Sequence, residues 1–328
     1  MHKIKGLHHV TAITSSAEQI YQFFTFVLGM RLVKKTINQD DINTYHLFFA
    51  DDVGGAGTDM TFFDFPGASK SVKGTNEISR TSFRVPSDQA LLYWLKRFDK
   101  YKINHSGIKE LFSKKVIEFS DFDDQQYLLI SDENNIGIPS GKPWLKGPVP
   151  NEYAITGLGP IFLTVNELDI MEYALIDIMK FEKVAQEGSL TLYEVDKGGN
   201  GASVIVNLDT YSQVAFQGYG TVHHVAFRVE DEQALNYWIK NISELRIPNS
   251  GQVNRFWFKS LYMRIYPSIL FEFATDGPGF IDDEESYDNL GETLTLPPRF
   301  RNARVEIEKL VRPIDTRRSH LNIKKEYL

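Results

Sequence analysis

The chain has 328 residues, 42% apolar and 24% charged, with a formal net charge of −7; it is long enough for two domains, and its acidic balance excludes nucleic acid or an anionic membrane as the main partner. Cysteine is absent, which removes disulfides, thiolate metal sites and cysteine nucleophiles, so a metal must be held by nitrogen and oxygen. No apolar stretch reaches membrane-spanning length, and the residues before Leu7 hold no signal-peptide hydrophobic region, so a cytoplasmic protein is expected.

In chain order, the first strand pattern is Leu7-His8-His9-Val10-Thr11-Ala12-Ile13. A helix follows over Glu18 to Phe24, then Val27-Leu28-Gly29-Met30-Arg31-Leu32-Val33 and β-rich runs that end near residue 66. A second unit opens with Phe83-Arg84-Val85. A third covers residues 155–207, from Gly157-Leu158-Gly159-Pro160-Ile161 through a helix around Met171 and Tyr173 to Ser203-Val204-Ile205-Val206. The fourth opens with Val222-His223-His224-Val225-Ala226-Phe227. There Asp231 or a neighbour is the predicted N-cap, and Ala234, Leu235, Trp238, Ile239 and Ile242 recur at helical spacing.

Units two and four are copies. Phe83-Arg84-Val85 and Phe227-Arg228-Val229 lie 144 residues apart. At that offset Gln89-Ala90-Leu91 meets Gln233-Ala234-Leu235, Tyr93-Trp94 meets Tyr237-Trp238, and Ser106-Gly107 meets Ser250-Gly251. Each unit reads strand, helix, strand, strand, strand. The predicted class is α+β, with four βαβββ units. Residues 1–150 hold one pair, 151–280 hold the other, and 281–328 form a C-terminal extension.

Four of the eight histidines stand in two matching places, His8-His9 and His223-His224, each heading an apolar strand. Glu272 lies in the apolar run Ser268-Ile269-Leu270-Phe271-Glu272-Phe273, where an ion needs compensation for burial. Singly these have ordinary readings, a satisfied core histidine or half of a buried ion pair. Together, two histidines and a carboxylate are the ligand set of an open ferrous site. The copies supply a control: at the 144-residue offset His224 becomes Arg80 and Glu272 becomes Leu128, and unit three has Gly159-Pro160 in place of His8-His9. Units one and four carry the metal chemistry.

The βαβββ units, with Phe24-Thr25-Phe26-Val27-Leu28-Gly29-Met30-Arg31-Leu32-Val33 after the first helix, resemble the vicinal oxygen chelate superfamily, which contains glyoxalases, extradiol dioxygenases and antibiotic-resistance proteins. Four units with His-His-Val-x-x-x-Thr-like spacing at the start are most similar to its ring-cleaving hydroquinone dioxygenases. The resemblance covers residues 5 to about 280, and Leu296-Pro297-Pro298-Arg299-Phe300 also fits that group. It implies paired, cupped mixed sheets with helices outside, and a first unit facing the fourth across one metal. The implied ligands are His9, His224 and Glu272, binding Fe(II), with Mn(II) able to use the same set. The implied catalytic residues are His8 and His223 as proton-handling or hydrogen-bonding groups, with Arg255, Tyr262 and Thr11 beside them. On ordinary readings Arg255 is a surface ion pair, Tyr262 a half-buried strand aromatic and Thr11 a strand former.

The expected activity is extradiol-type cleavage of a hydroquinone or related dihydroxylated aromatic with O2, in a protein that binds no nucleic acid or membrane, homo-oligomeric state being open. Two alternatives stay in view. A glyoxalase-type lyase or isomerase requires a fourth ligand, for which Asp64 stands at about the place in unit one that Glu272 holds in unit four, although the favoured reading of Asp64 is a strand-end or turn aspartate before Phe65-Pro66-Gly67. A non-enzymatic module that binds an aromatic compound requires no metal. Asp282-Asp283-Glu284-Glu285 reads as a solvated acidic loop, and Lys324-Lys325-Glu326 as a poorly ordered terminus.

Overall fold

The structure, a computed structural model, describes residues 2–134, 136–282 and 284–328. Unit one runs β1 (Leu7–Ile13), α1 (Ala17–Gln22), β2 (Arg31–Ile37), β3 (Tyr45–Ala50) and β4 (Asp59–Phe63). Unit two runs β5 (Glu77–Val85), α2 (Asp88–Tyr101), β6 (His105–Leu111), β7 (Lys114–Ser120) and β8 (Gln126–Ser131). Unit three has a split first strand, β9 (Gly157–Leu158) and β10 (Ile161–Val165), then α3 (Leu168–Glu172), β11 (Glu182–Glu187), β12 (Leu190–Glu194) and β13 (Ser203–Leu208). Unit four runs β14 (Thr221–Val229), α4 (Glu232–Glu244), β15 (Val253–Asn254), β16 (Lys259–Tyr266) and β17 (Ile269–Thr275).

Local chemistry explains the boundaries. Ser16, Ser87 and Asp231 each accept a backbone N–H from the first turn of the following helix, a standard N-cap. The amphipathic helices α2 and α4 bury Leu91, Trp94 and Phe98, and Leu235, Trp238 and Ile242 respectively. The first helix continues through a wider turn, Phe23–Val27, and the chain leaves it at Gly29 with φ of 70°. A side chain there would be strained, and its Cβ would lie 2.6 Å from Val149 Cγ2.

Two mixed sheets result. One has the order β15-β16-β17-β14-β1-β4-β3-β2, and the other β11-β12-β13-β10-β5-β8-β7-β6 with β9 added beside β5. The antiparallel pair β1–β14 joins units one and four, and β10–β5 joins units three and two. Each sheet therefore draws one unit from each half of the chain. The second sheet is filled where the first carries chemistry. Arg80 and Glu118, at the offsets of His224 and Tyr262, form an ion pair at 2.7 Å. Leu128, at the offset of Glu272, packs with Val116, Ile130, Phe162, Leu192 and Ile205.

The C-terminal extension corrects two expectations. Asp282 and Glu285 are not solvated. They hold Lys34 of β2, whose side chain is fully buried, at 3.2 and 3.0 Å, because a buried ammonium requires anionic partners. Asp283 lies outside the described residues. The terminus is likewise anchored. Glu326 accepts hydrogen bonds at 2.9 Å from Arg97, Lys100 and Tyr101, and Lys325 Nζ donates to the Val149 carbonyl. Between these anchors lies the short helix α5 (Arg304–Leu310). Among the described residues no helix is long and apolar enough to cross a membrane.

Lys34→Met is expected to destabilise the fold by about 3–5 kcal/mol, since it strands two carboxylates beside an apolar side chain. Urea unfolding checks this, and a loss below about 1 kcal/mol, the worth of an exposed pair, would show that the network is solvated after all.

Candidate metal centre

The centre lies on the β1–β14 seam. Nε2 of His9 is 3.1 Å from Glu272 Oε2, Nε2 of His224 is 3.0 Å from it, and the two ring nitrogens are 3.3 Å apart. All three residues are buried, and among the described residues they are the one group of His, Asp and Glu side chains that converges in this way. Ligands bonded at about 2.0–2.2 Å and set at right angles stand about 3 Å apart, which is the spacing seen.

Protonation states strengthen the fit. His8 Nε2–H donates to the Thr275 carbonyl at 3.0 Å. Burial first, and then the neighbouring His9, lower the His8 pKa to about 3, so the ring is neutral and its Nδ1 is an acceptor. That Nδ1 is 2.9 Å from His9 Nδ1. His9 must therefore carry its proton on Nδ1, and its Nε2 presents a bare lone pair to the Glu272 carboxylate. The arrangement repeats in unit four, where His223 Nδ1 and His224 Nδ1 are 2.7 Å apart. Glu272 Oε2 accordingly has no hydrogen-bond partner although it is fully buried, while Oε1 accepts from Ser260. Converging lone pairs around a buried anionic oxygen are a cation site. The residues fit a metal ion.

The histidine pairs depart from regular strand geometry, in which neighbours point to opposite faces. The β1–β14 register slips by one residue at each pair: Leu7 faces Phe227 but His9 faces Ala226, and Thr11 faces His224 but Ala12 faces Val222. His8 and His223 are the extra residues of two β-bulges, and bulges re-aim side chains. Each ring is thereby turned edge-on against its neighbour, with centroids 5.0 Å apart.

The structure separates the other expected site residues. His223 lines the cavity beside the centre, as do Arg255 and Tyr262. Tyr262 is opposite Glu272 in the β16–β17 pair, and burial, then the Glu272 charge, push its hydroxyl far above the ordinary range, so it stays a donor. Arg255 Nε donates to Tyr262 Oη at 3.2 Å, and its Nη2 donates to Asp40 at 2.8 Å. Thr11 is fully buried, with Oγ1 2.9 Å from His224 Nε2. His8 does not line the cavity, and both its nitrogens are engaged, one by His9 and the other by the Thr275 carbonyl, which places it as a hydrogen-bonding neighbour of His9.

Asp64 is the strand-end aspartate that its position before Phe65-Pro66 suggests, and register moves the place equivalent to Glu272 away from it. Ala226 faces Glu272, and the matching residue of β1, Thr11, faces Thr61. Thr61, three residues short of Asp64, occupies the place equivalent to Glu272. Asp64 instead accepts the backbone N–H of Tyr45 at 2.7 Å and is not in the metal cluster.

The cavity measures about 530 Å³ and has an aromatic wall that includes Phe48, Phe63, Phe65, Trp257 and Phe258. Trp257 Nε1–H donates to Asp282, so the buried Lys34 network also fixes this wall. The sequence reading passed over two residues that face the centre, Thr61 and His46. Nothing in the 144-residue repeat touches unit one, and only strand pairing reveals their places.

Over 317 residues, 95% of this chain and 99% of the relative, the sequence is 41% identical to MhqA of Bacillus subtilis, named as a ring-cleaving dioxygenase. The chain belongs to that family of ring-cleaving dioxygenases. It is also 29% identical, over 93% of this chain and 95% of the other, to the chlorohydroquinone/hydroquinone 1,2-dioxygenase of Sphingobium indicum. A solved Bacillus subtilis structure named as a dioxygenase superposes with a TM-score of 0.88 at 33% identity, covering 97% of this chain and 99% of that one. Maize glyoxalase I, 12% identical, shares the fold at a TM-score of 0.57 over 83% of this chain and 92% of its own, the fold of the vicinal oxygen chelate superfamily. No family model matches the chain.

Proposed function

We propose that this dioxygenase opens the ring of a hydroquinone or related dihydroxylated aromatic in extradiol fashion, with Fe(II) held by His9, His224 and Glu272. Mn(II) suits the same ligands. The observation that carries the reading is a three-ligand buried centre whose remaining side opens on an aromatic-walled cavity, the arrangement that leaves positions for both substrate and oxygen. When bound, ferrous iron supplies the electron path between a closed-shell ring and O2. The chain's own residues do the rest. The aromatic wall of the cavity stacks the ring. Tyr262 donates a hydrogen bond to a substrate oxygen, and Arg255, fixed by Tyr262 and Asp40, stabilises negative charge developing there. His223, with Nδ1 committed to His224, presents Nε2 to the cavity for proton transfer.

The lyase alternative loses its fourth ligand, because Thr61 stands where a carboxylate is required. The test is an oxygen electrode with a panel of substituted hydroquinones and catechols and a hemithioacetal as counter-substrate. About one O2 consumed per ring opened with ferrous protein, and little with zinc, which has no redox chemistry, is the expected result. Zinc-supported isomerisation of the hemithioacetal without oxygen uptake on any ring would overturn the reading.

A further inference from the structure

We propose that Thr61 and His46 form a proton relay that connects the Thr11 hydroxyl, beside the metal ligands, to the cavity. The proposal rests on the dioxygenase reading above and extends it to residues that touch no ligand.

Three contacts make the path. Thr11 Oγ1, 2.9 Å from His224 Nε2, is 2.7 Å from Thr61 Oγ1, which is 2.9 Å from His46 Nε2. Both hydroxyls are fully buried, so no solvent competes for them. The His46 ring is clamped between Phe48 and Phe63, with centroids at 4.0 and 4.4 Å. It lines the cavity, and its Nδ1 has no protein partner among the described residues.

The internal symmetry of the sheet sharpens the point. In unit four the ligand Glu272 accepts a hydrogen bond from Ser260, which faces Ala274 two residues further along β17. In unit one the matching places are Thr61 and, facing Phe63, His46. One unit thus spends the two places on a ligand and its hydroxyl donor. The other spends them on a hydroxyl and an imidazole, a pairing that binds no metal but conducts protons.

The step balances without a further reagent. When a group held at the metal ligands gives up a proton on the side of Thr11, which lies behind His224 and does not itself line the cavity, that proton passes to the Thr11 oxygen, Thr11 gives its own to Thr61, and Thr61 gives its own to His46 Nε2. His46 releases the Nδ1 proton to water in the cavity. One proton leaves that group, one reaches water, and each relay group ends neutral. Burial, the largest influence on His46, disfavours its charged form, which suits a group that passes protons on and does not store them. The reverse sequence returns a proton to the opened ring.

Thr61→Val removes the hydroxyl at similar volume. The expected result is unchanged iron content and KM with kcat lowered about 100-fold, the low end for a positioned proton-transfer group, and recovery of most of that loss in Thr61→Ser. A kcat within about twofold of the parent, or loss of iron, would overturn the relay, the latter by giving Thr61 a purely structural role. Two measurements need no variant activity. In metal-free, histidine-labelled protein, 15N NMR should show His46 protonated on Nδ1, with Nε2 a hydrogen-bond acceptor that shifts in Thr61→Val; a protonated Nε2 unmoved by the substitution refutes the bond. In the parent enzyme, a curved proton inventory on kcat is expected and a linear one refutes the relay. The NMR result stands even if no ring is opened, which separates failure of the relay from failure of the dioxygenase reading.

Discussion

Replacing Glu272 with alanine is expected to abolish ferrous-ion binding. Glu272 is the sole anion of the cluster, is fully buried, and stands 3.0–3.1 Å from both histidine nitrogens. Without it two imidazoles remain in an apolar sheet, with no anion to offset the cost of burying a divalent charge. Parent protein prepared anaerobically should bind about one ferrous ion per chain, and His9→Ala and His224→Ala should fail as Glu272→Ala does, because each removes a third of the ligand set. Chelator titration and iron analysis read the result directly. Full iron occupancy in Glu272→Ala would remove it from the ligands.

A second large effect is expected at His223, and it is of a different kind. His223 is outside the converging cluster; its Nδ1 is hydrogen-bonded to His224 Nδ1, and its ring lines the cavity. His223→Ala should weaken metal affinity by about 10- to 100-fold, the usual effect of losing a group that orients a ligand. At saturating iron, however, turnover should still fall by roughly 100- to 10,000-fold, the contribution of a positioned acid or base. His8→Ala provides the contrast. His8 has no nitrogen free for substrate, so its substitution should weaken affinity similarly but spare most turnover once iron is saturating. Steady-state rates measured across an iron titration distinguish the two. Equal loss of turnover in both variants at saturating iron would refute the division of roles.

Much of this protein is legible in its residues alone. The alternating runs at Leu7 and Val222, the N-cap signal at Asp231 and the ungapped 144-residue repeat specify the βαβββ unit, because strand and helix periods and caps are local properties. The loss of His224 and Glu272 at Arg80 and Leu128 likewise marks which units hold the chemistry. The C-terminal extension was misread because its acidic run looks solvated until Lys34, some 250 residues earlier in the chain, is brought beneath it.

What only the tertiary structure decided is register. A one-residue slip exchanges the faces of a strand, and no local pattern records it. The two slips in the β1–β14 pair turn His8 and His223 against His9 and His224 and select which nitrogen of His9 faces Glu272. The β1–β4 register puts Thr61, not Asp64, at the place equivalent to Glu272. Sequence determined which side chains were available to the centre. Pairing of strands more than 200 residues apart, with two bulges, determined which of them face it.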